Sequence, residues 1–238
     1  MVLTVIVPFH HEGQNMASTL RGLQGVLNVP HEILLIHDDK EEPALPFVKP
    51  IQAKDASMQI LLNACLPGVA GAIRTGLERA RGQYVLFLVA DDQGPLAIIN
   101  PMLDLMRRGY DVVSGTRYAG SGGVSGGGFW ANAASAWGNR TFGLLASSQF
   151  SDATCGIKMF RKEILQGAPF NAGAGWAVVF ELAVRAERQG LKVAEIPYVS
   201  YNRVEGGMSH FKIGPRMLGY GKIFLREAVN LRFRKTHA

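Results

Sequence analysis

Two carboxylate pairs, Asp38-Asp39 and Asp91-Asp92, each follow a short apolar run, residues 32–36 and 84–88. Runs of that length and make-up read as buried β-strands. In open α/β sheets, ligands bind outside the carboxyl ends of the strands. Acidic residues at two such ends therefore mark a candidate site, and their oxygens suit a hard divalent cation. A plainer role also fits Asp91-Asp92: Gly94-Pro95 follows, and Asp caps helix N-termini well.

The elements that must position these groups follow from the spacing of apolar residues. Residues 3–7 form an apolar, β-branched run ended by Pro8, and Met16, Leu20, Leu23 and Leu27 then recur at helical spacing. A Pro-rich loop separates the second strand from a short third one at 59–63. Residues 68–81 read as a helix stopped by Gly82, 98–108 as another, and 111–114 as a further strand. Strands alternating with helices, apolar enough to be covered on both faces, predict an α/β fold with a parallel-type sheet. The second half loses this regular alternation. Residues 126–131 formally fit a dinucleotide fingerprint, but no strand leads tightly into them, so the glycine-rich stretch 120–128 reads as a mobile loop.

Composition bounds the class. The chain has 238 residues, 47% hydrophobic and 18% charged, enough for one globular domain and too apolar for disorder. No apolar run reaches the roughly 18 residues of a membrane-spanning helix. The N-terminus reads as a first strand, not a signal peptide. Cys65 and Cys155 are too few for a disulfide framework, which makes a reducing cytoplasm the expectation. The net charge of +6 is concentrated: from Lys212 onward seven cations face one acid, Glu227. Lys212, Arg216, Lys222, Arg226 and Arg234 fall within an arc of roughly 120° on a helical wheel. Met217, Tyr220, Phe224, Val229 and Leu231 occupy the other side, and Ile223 and Arg232 break the pattern. This is either a basic amphipathic membrane-surface helix or a terminal helix packed on the domain. Nucleic acid is not expected, because the aromatics do not interleave with the basic residues as stacking platforms would.

Several motifs in order resemble the family-2 glycosyltransferases, particularly dolichyl-phosphate mannose synthases and related polyprenyl-phosphate sugar transferases. They are Val5-Ile6-Val7-Pro8-Phe9-His10-His11-Glu12, Asp38-Asp39, the helix at 68–76 with Gly82, and Gly115-Thr116-Arg117-Tyr118. Asp152-Ala-Thr154-Cys-Gly156-Ile-Lys158-Met-Phe160 follows, then Phe180-Glu181-Leu182, Ala194-Glu195-Ile196-Pro197 and residues 203–209. The resemblance implies a GT-A-like domain over 1–212, a mixed, mostly parallel sheet flanked by helices, with a basic amphipathic C-terminal helix and tail over 213–238. It implies an inverting, metal-dependent transfer of a sugar from a GDP- or UDP-linked donor, with a polyprenyl phosphate at the cytoplasmic membrane face as the expected acceptor. Nucleotide binding then falls to Pro8, Phe9, His11, Glu12, Asp38 and Asp39. Mg2+ or Mn2+ falls to Asp91, Gln93 and Asp92, stabilising the charge on the departing diphosphate. Catalytic roles fall to Asp91, Arg117 and Asp152. Phosphate or acceptor contacts fall to Arg117, Ser135, Arg203, Ser209 and Lys212, since a guanidinium fork suits bidentate contact with phosphate oxygens; for Arg203 the alternative is a surface ion pair with Glu205.

The sequence departs from the family pattern in two places. Val89 stands where the first Asp of the family's Asp-x-Asp is usual, and Ala131 and Ala136 stand where arginines are frequent. The missing arginines favour a soluble hydroxyl acceptor, for which Asp152 or Glu181 would serve as general base. Val89 favours a non-catalytic nucleotide-sugar-binding or membrane-scaffold protein. His10 and His11 lie beside the expected nucleotide pocket, although two adjacent histidines on a loop do not by themselves define a metal site. Trp130, Trp137 and Trp176 read as packing or acceptor-groove residues.

Overall fold

The structure, a computed structural model, describes residues 1–126, 128–168, 175–201 and 215–236, with side chains in the last segment described for 221–233. The apolar runs form β1 (Leu3–Pro8), β2 (His31–His37), β3 (Met58–Leu62), β4 (Tyr84–Phe87) and β5 (Val112–Thr116). With β7 (Lys158–Arg161) and β8 (Val193–Pro197) they make a sheet ordered β3-β2-β1-β4-β7-β5-β8. Its strands are parallel, with Val5 opposite both Ile33 and Leu86, except for β7, which runs antiparallel between β4 and β5. A two-stranded ribbon, β6 (Gly123–Ser125) with β9 (Val199–Tyr201), lies apart.

Because successive side chains of a strand point to opposite faces, alternate residues feed two cores. Ile6, Leu34, Ile36, Val85, Phe87 and Phe160 face α3 (Val69–Arg79), α5 (Phe129–Ala146), α7 (Ala177–Arg188) and α8 (Pro215–Thr236). Val5, Val7, Ile33, Leu35, Leu86 and Met159 face α1 (Gln14–Val26), α2 (Leu45–Gln52) and α4 (Ile99–Arg107). One polar group is stitched through this packing. Glu32, 1% exposed, accepts from Thr4 Oγ1 at 2.7 Å and from the backbone N–H and Nε of Arg81 at 2.6 and 2.8 Å. Burial opposes its ionisation, but these donors and the Arg81 charge outweigh it and lower its pKa.

Three sequence expectations are corrected. The Pro-rich loop contains α2: Pro46 sits in its first turn, where no N–H is needed, and Leu45 and Val48 bury one side. The glycine-rich stretch contributes strand β6, with the Gly123 N–H bonded to the Tyr198 carbonyl, and α5 starts at Phe129. In α8 the packed face is Ile223, Glu227, Ala228 and Leu231, whereas Val229 is exposed. Glu227 can be buried because Arg226 and Arg188 pair with it, and Glu181 of α7 pairs with Arg226. Burial raises the Glu181 pKa against that partner. Phe224, also on the apolar side, packs here too, its ring 4.9 Å from that of Phe142.

Candidate active site

The parallel strands deliver their carboxyl ends to one edge of the sheet. After β1 the chain turns through His11, at φ 57°, a left-handed conformation that side-chain-bearing residues seldom adopt. Glu42, from the loop after β2, holds this turn by accepting the His11 N–H at 2.8 Å. His11 and Glu12 thus stand at the rim. Pro8 and Phe9 lie beneath it in the core, with the Phe9 ring 5.3 Å from that of His37. Asp38 braces two loops, accepting from Asn63 Nδ2 and the Gly68 N–H, each at 2.7 Å. Asp39 is exposed and caps the Glu41 N–H at 3.0 Å.

The loop after β4 separates its carboxylates by task. Asp92 accepts from Ser200 Oγ at 2.6 Å, the Tyr201 N–H at 3.1 Å and the Gly94 N–H at 2.9 Å, which ties β9 to this loop. Burial disfavours its ionised form more than these donors favour it, and the Asp91 charge adds to the effect, so its pKa is raised. Close approach requires Gly94, where a Cβ would meet the Val199 carbonyl oxygen at 2.0 Å. Asp91 is half-buried and Gln93 exposed on the same loop. Val89 packs against the second core, and a Cβ on Gly156 would lie 3.1 Å from it. The position where the family pattern places an Asp is apolar here because its surroundings are.

Arg117, at the end of β5, meets Asp152, in the loop entering β7. Nε donates to Oδ2 at 2.7 Å, Nη2 to Oδ1 at 2.9 Å, and the Arg117 backbone N–H to Oδ2 at 3.1 Å. Burial favours loss of the guanidinium proton, yet the Asp152 bonds and charge prevail and its pKa is raised. Arg117 also lies 4.9 Å over the Tyr118 ring, whose hydroxyl donates to Ser135 Oγ of α5 at 2.7 Å. Asn139 of α5 donates to Thr154 Oγ1 at 2.8 Å and accepts the Thr154 N–H at 3.2 Å.

Two supports of this network were not singled out in the sequence as site residues. Glu195 of β8 accepts the Ser151 and Asp152 N–H groups at 2.8 and 3.1 Å. Lys158, fully buried, donates to the carbonyls of Ala153 and Cys155 at 3.1 and 2.5 Å, and burial lowers its pKa. The signal for Lys158 was present: a lysine between Ile157 and Met159 in an apolar strand must find buried partners. Arg203, Ser209 and Lys212 lie outside the described residues.

Beside the network runs a groove of about 710 Å³, lined among others by Tyr118, Trp137, Arg140, Leu144, Gln149 and Ser151. Large apolar side chains are exposed on the neighbouring helices. Trp130 and Trp137 are 82% and 69% exposed, and Leu144, Leu225, Val229 and Phe233 of α5 and α8 are also exposed. Among the described residues no helix is long and apolar enough to cross a membrane.

This sheet, with its reversed strand and acidic edge, is the GT-A fold. It is shared with glucosyl-3-phosphoglycerate synthase from Mycobacterium tuberculosis, solved with uridine diphosphate, at TM-score 0.70 and 14% identity over 96% of this chain and 80% of that one. The chain belongs to the family described as glycosyl transferase family 2, whose model matches residues 4–167. It is 23% identical over 210 residues to a dolichol-phosphate mannosyltransferase of Pyrococcus furiosus, covering 87% of this chain and 58% of that protein. It is 29% identical over 120 residues to an undecaprenyl-phosphate 4-deoxy-4-formamido-L-arabinose transferase of Pseudomonas savastanoi, covering 48% and 35%. The chain thus spans less than two thirds of the length of these curated relatives.

Proposed function

We propose that the chain transfers a glycosyl group, with inversion, from a nucleoside-diphosphate sugar to the phosphate of a polyprenyl phosphate at a membrane surface. The observation that carries this reading is the groove beside Arg117 and Asp152: it is walled by Tyr118, Trp137 and Leu144, holds Arg140, and opens beside an exposed apolar ridge. An apolar wall with a cation matches an acceptor that joins an anionic head to a lipid chain. The names of the two curated relatives support the same acceptor class. Uridine diphosphate is the favoured carrier, since the M. tuberculosis synthase was solved with it and, in other crystals, with Mn2+.

The oxygens of Asp91 and Gln93 fit Mg2+ or Mn2+, both of which take hard donors. When bound, such an ion supplies Lewis-acid stabilisation to the diphosphate as it leaves. Glu12 and Asp39, on the rim, accept from the base and ribose of the donor. Asp92 holds β9 against the metal loop. A phosphate acceptor is already anionic and needs no general base, so Asp152 is assigned to fixing Arg117, which would contact the phosphates. The acceptor oxygen attacks the anomeric carbon in line while the bond to the diphosphate breaks, through an oxocarbenium-like state.

A second reading, a soluble hydroxyl acceptor, is favoured by Ala131 and Ala136 on α5. Incubating the protein and Mn2+ with UDP- and GDP-sugars, offering detergent-solubilised polyprenyl phosphate or simple sugars and phosphoglyceric acid, separates the readings. Lipid-linked product supports the proposal, and turnover of the soluble acceptors alone overturns it.

A further inference from the structure

The loop after β1 places His10 and His11 side by side, their rings stacked with centroids 3.9 Å apart. Neighbouring residues in extended backbone point to opposite sides, so this pairing depends on the left-handed turn at His11. Beneath them lies Glu42, with a fully buried side chain. Its Oε1 accepts the backbone N–H groups of His11 and Ala44. Its Oε2 is buried without a hydrogen bond and lies 3.6 Å from His10 Nδ1. A buried carboxylate oxygen left in that state is costly, and a cation bound beside it removes the cost.

We propose that His10, His11 and Glu42 form a binding site for a borderline transition-metal ion such as Zn2+, separate from the hard-oxygen loop at Asp91. One ligand atom from each residue lies within 4.8 Å of the others. A tetrahedral zinc with bonds of ~2.1 Å holds its ligand atoms ~3.4 Å apart, so small rotations of two exposed imidazoles complete the set. Two imidazoles and a carboxylate select Zn2+, Co2+ or Ni2+ over Mg2+, which prefers oxygen and keeps its waters. Three protein ligands leave a fourth position for water or an exchangeable group. The site does not depend on which donor or acceptor the chain uses.

The test uses the untagged protein in excess Mg2+, which occupies oxygen-only sites without competing for imidazole. Zn2+ is titrated by calorimetry and Co2+ by visible absorption. One Zn2+ per chain is expected, with Co2+ d–d bands of a low-coordinate nitrogen-oxygen site. In His10→Ala, shown to be folded by its metal-free melting curve, Zn2+ affinity falls at least about tenfold. Glu42→Gln retains the Oε1 acceptor and loses the charge, and weakens Zn2+ similarly. His11→Asn keeps a residue that tolerates the left-handed turn. Absence of Zn2+ binding in the unsubstituted protein, or equal affinity in the His10→Ala/His11→Asn double variant, overturns the proposal.

Discussion

Arg117 and Asp152 form a two-point ion pair in which Nε and Nη2 of one meet the separate oxygens of the other, at 2.7 and 2.9 Å. The carboxylate has no solvent exposure, and the arginine side chain is 21% exposed. Removing one partner leaves the other charged and largely buried. Asp152→Ala is therefore expected to cost about 3–5 kcal/mol of stability. The Arg117→Ala/Asp152→Ala pair should show a coupling energy on the order of 1–3 kcal/mol in a double-mutant cycle by urea unfolding. Additive losses would show that each residue stands alone.

Asp91 is expected to matter for donor chemistry. Asp91→Ala should lower kcat/KM at least about 100-fold, equivalent to about 3 kcal/mol of lost transition-state stabilisation. Calorimetry with uridine diphosphate should show that Mn2+ strengthens binding to the unsubstituted protein but not to the variant. An equal response to Mn2+ in both would remove Asp91 from the metal site.

The pH dependence of stability isolates Asp92. Its folded pKa lies above the unfolded value near 3.8, so the protonated form is the one that folding favours. That contribution is fully present below about 3.8 and lost as pH rises through the folded value. Asp92→Asn keeps an oxygen for the Gly94 and Tyr201 N–H groups and has no charge to lose. Its stability relative to the unsubstituted protein should rise across this window, with a slope of at most about 1.4 kcal/mol per pH unit. Urea unfolding at a series of pH values measures the difference, and a pH-independent difference would contradict the raised pKa.

The outer face of α5 and α8 gives a fourth prediction. Trp137→Ser and Phe233→Ser should each weaken sedimentation with anionic vesicles about tenfold, from the apolar area they no longer bury, and leave nucleotide binding intact. Truncation after residue 213 should behave differently. Ile223, Ala228 and Leu231 are part of the core, so the truncated chain should melt earlier and lose vesicle and nucleotide binding together. Leu231→Ala alone should cost about 2–5 kcal/mol.

The first half of the fold was legible in the sequence because its strands are apolar on both faces and end in acids. Strands 3–7, 32–36 and 84–88 lie within one residue or so of β1, β2 and β4. The α2 helix was hidden because Pro46 and Pro50 signal a loop, and only the burial of Leu45 and Val48 explains a helix there. The inward position of Glu227 on α8 was hidden for a related reason. A helical wheel counts Glu227 as polar, while Arg188, distant in sequence, makes its burial tolerable. Asp39 and Asp91 were picked out by residue type and place, Arg117 and Asp152 by the motifs they share with the family. Their bonding was not visible, since Asp92 meets Ser200 across more than a hundred residues and Asp152 depends on Glu195.

The reversal of β7 has a further consequence for how such a chain can change. Between the end of β5 and the start of β7 the polypeptide leaves one edge of the sheet and returns to the same edge, carrying β6, α5 and the groove with it. The parts of that excursion outside β6 and the buried face of α5 can be lengthened, shortened or exchanged without shifting the register of the seven-stranded sheet. The seven-stranded sheet is the fixed frame, and the exposed parts of the excursion are where such a chain can vary.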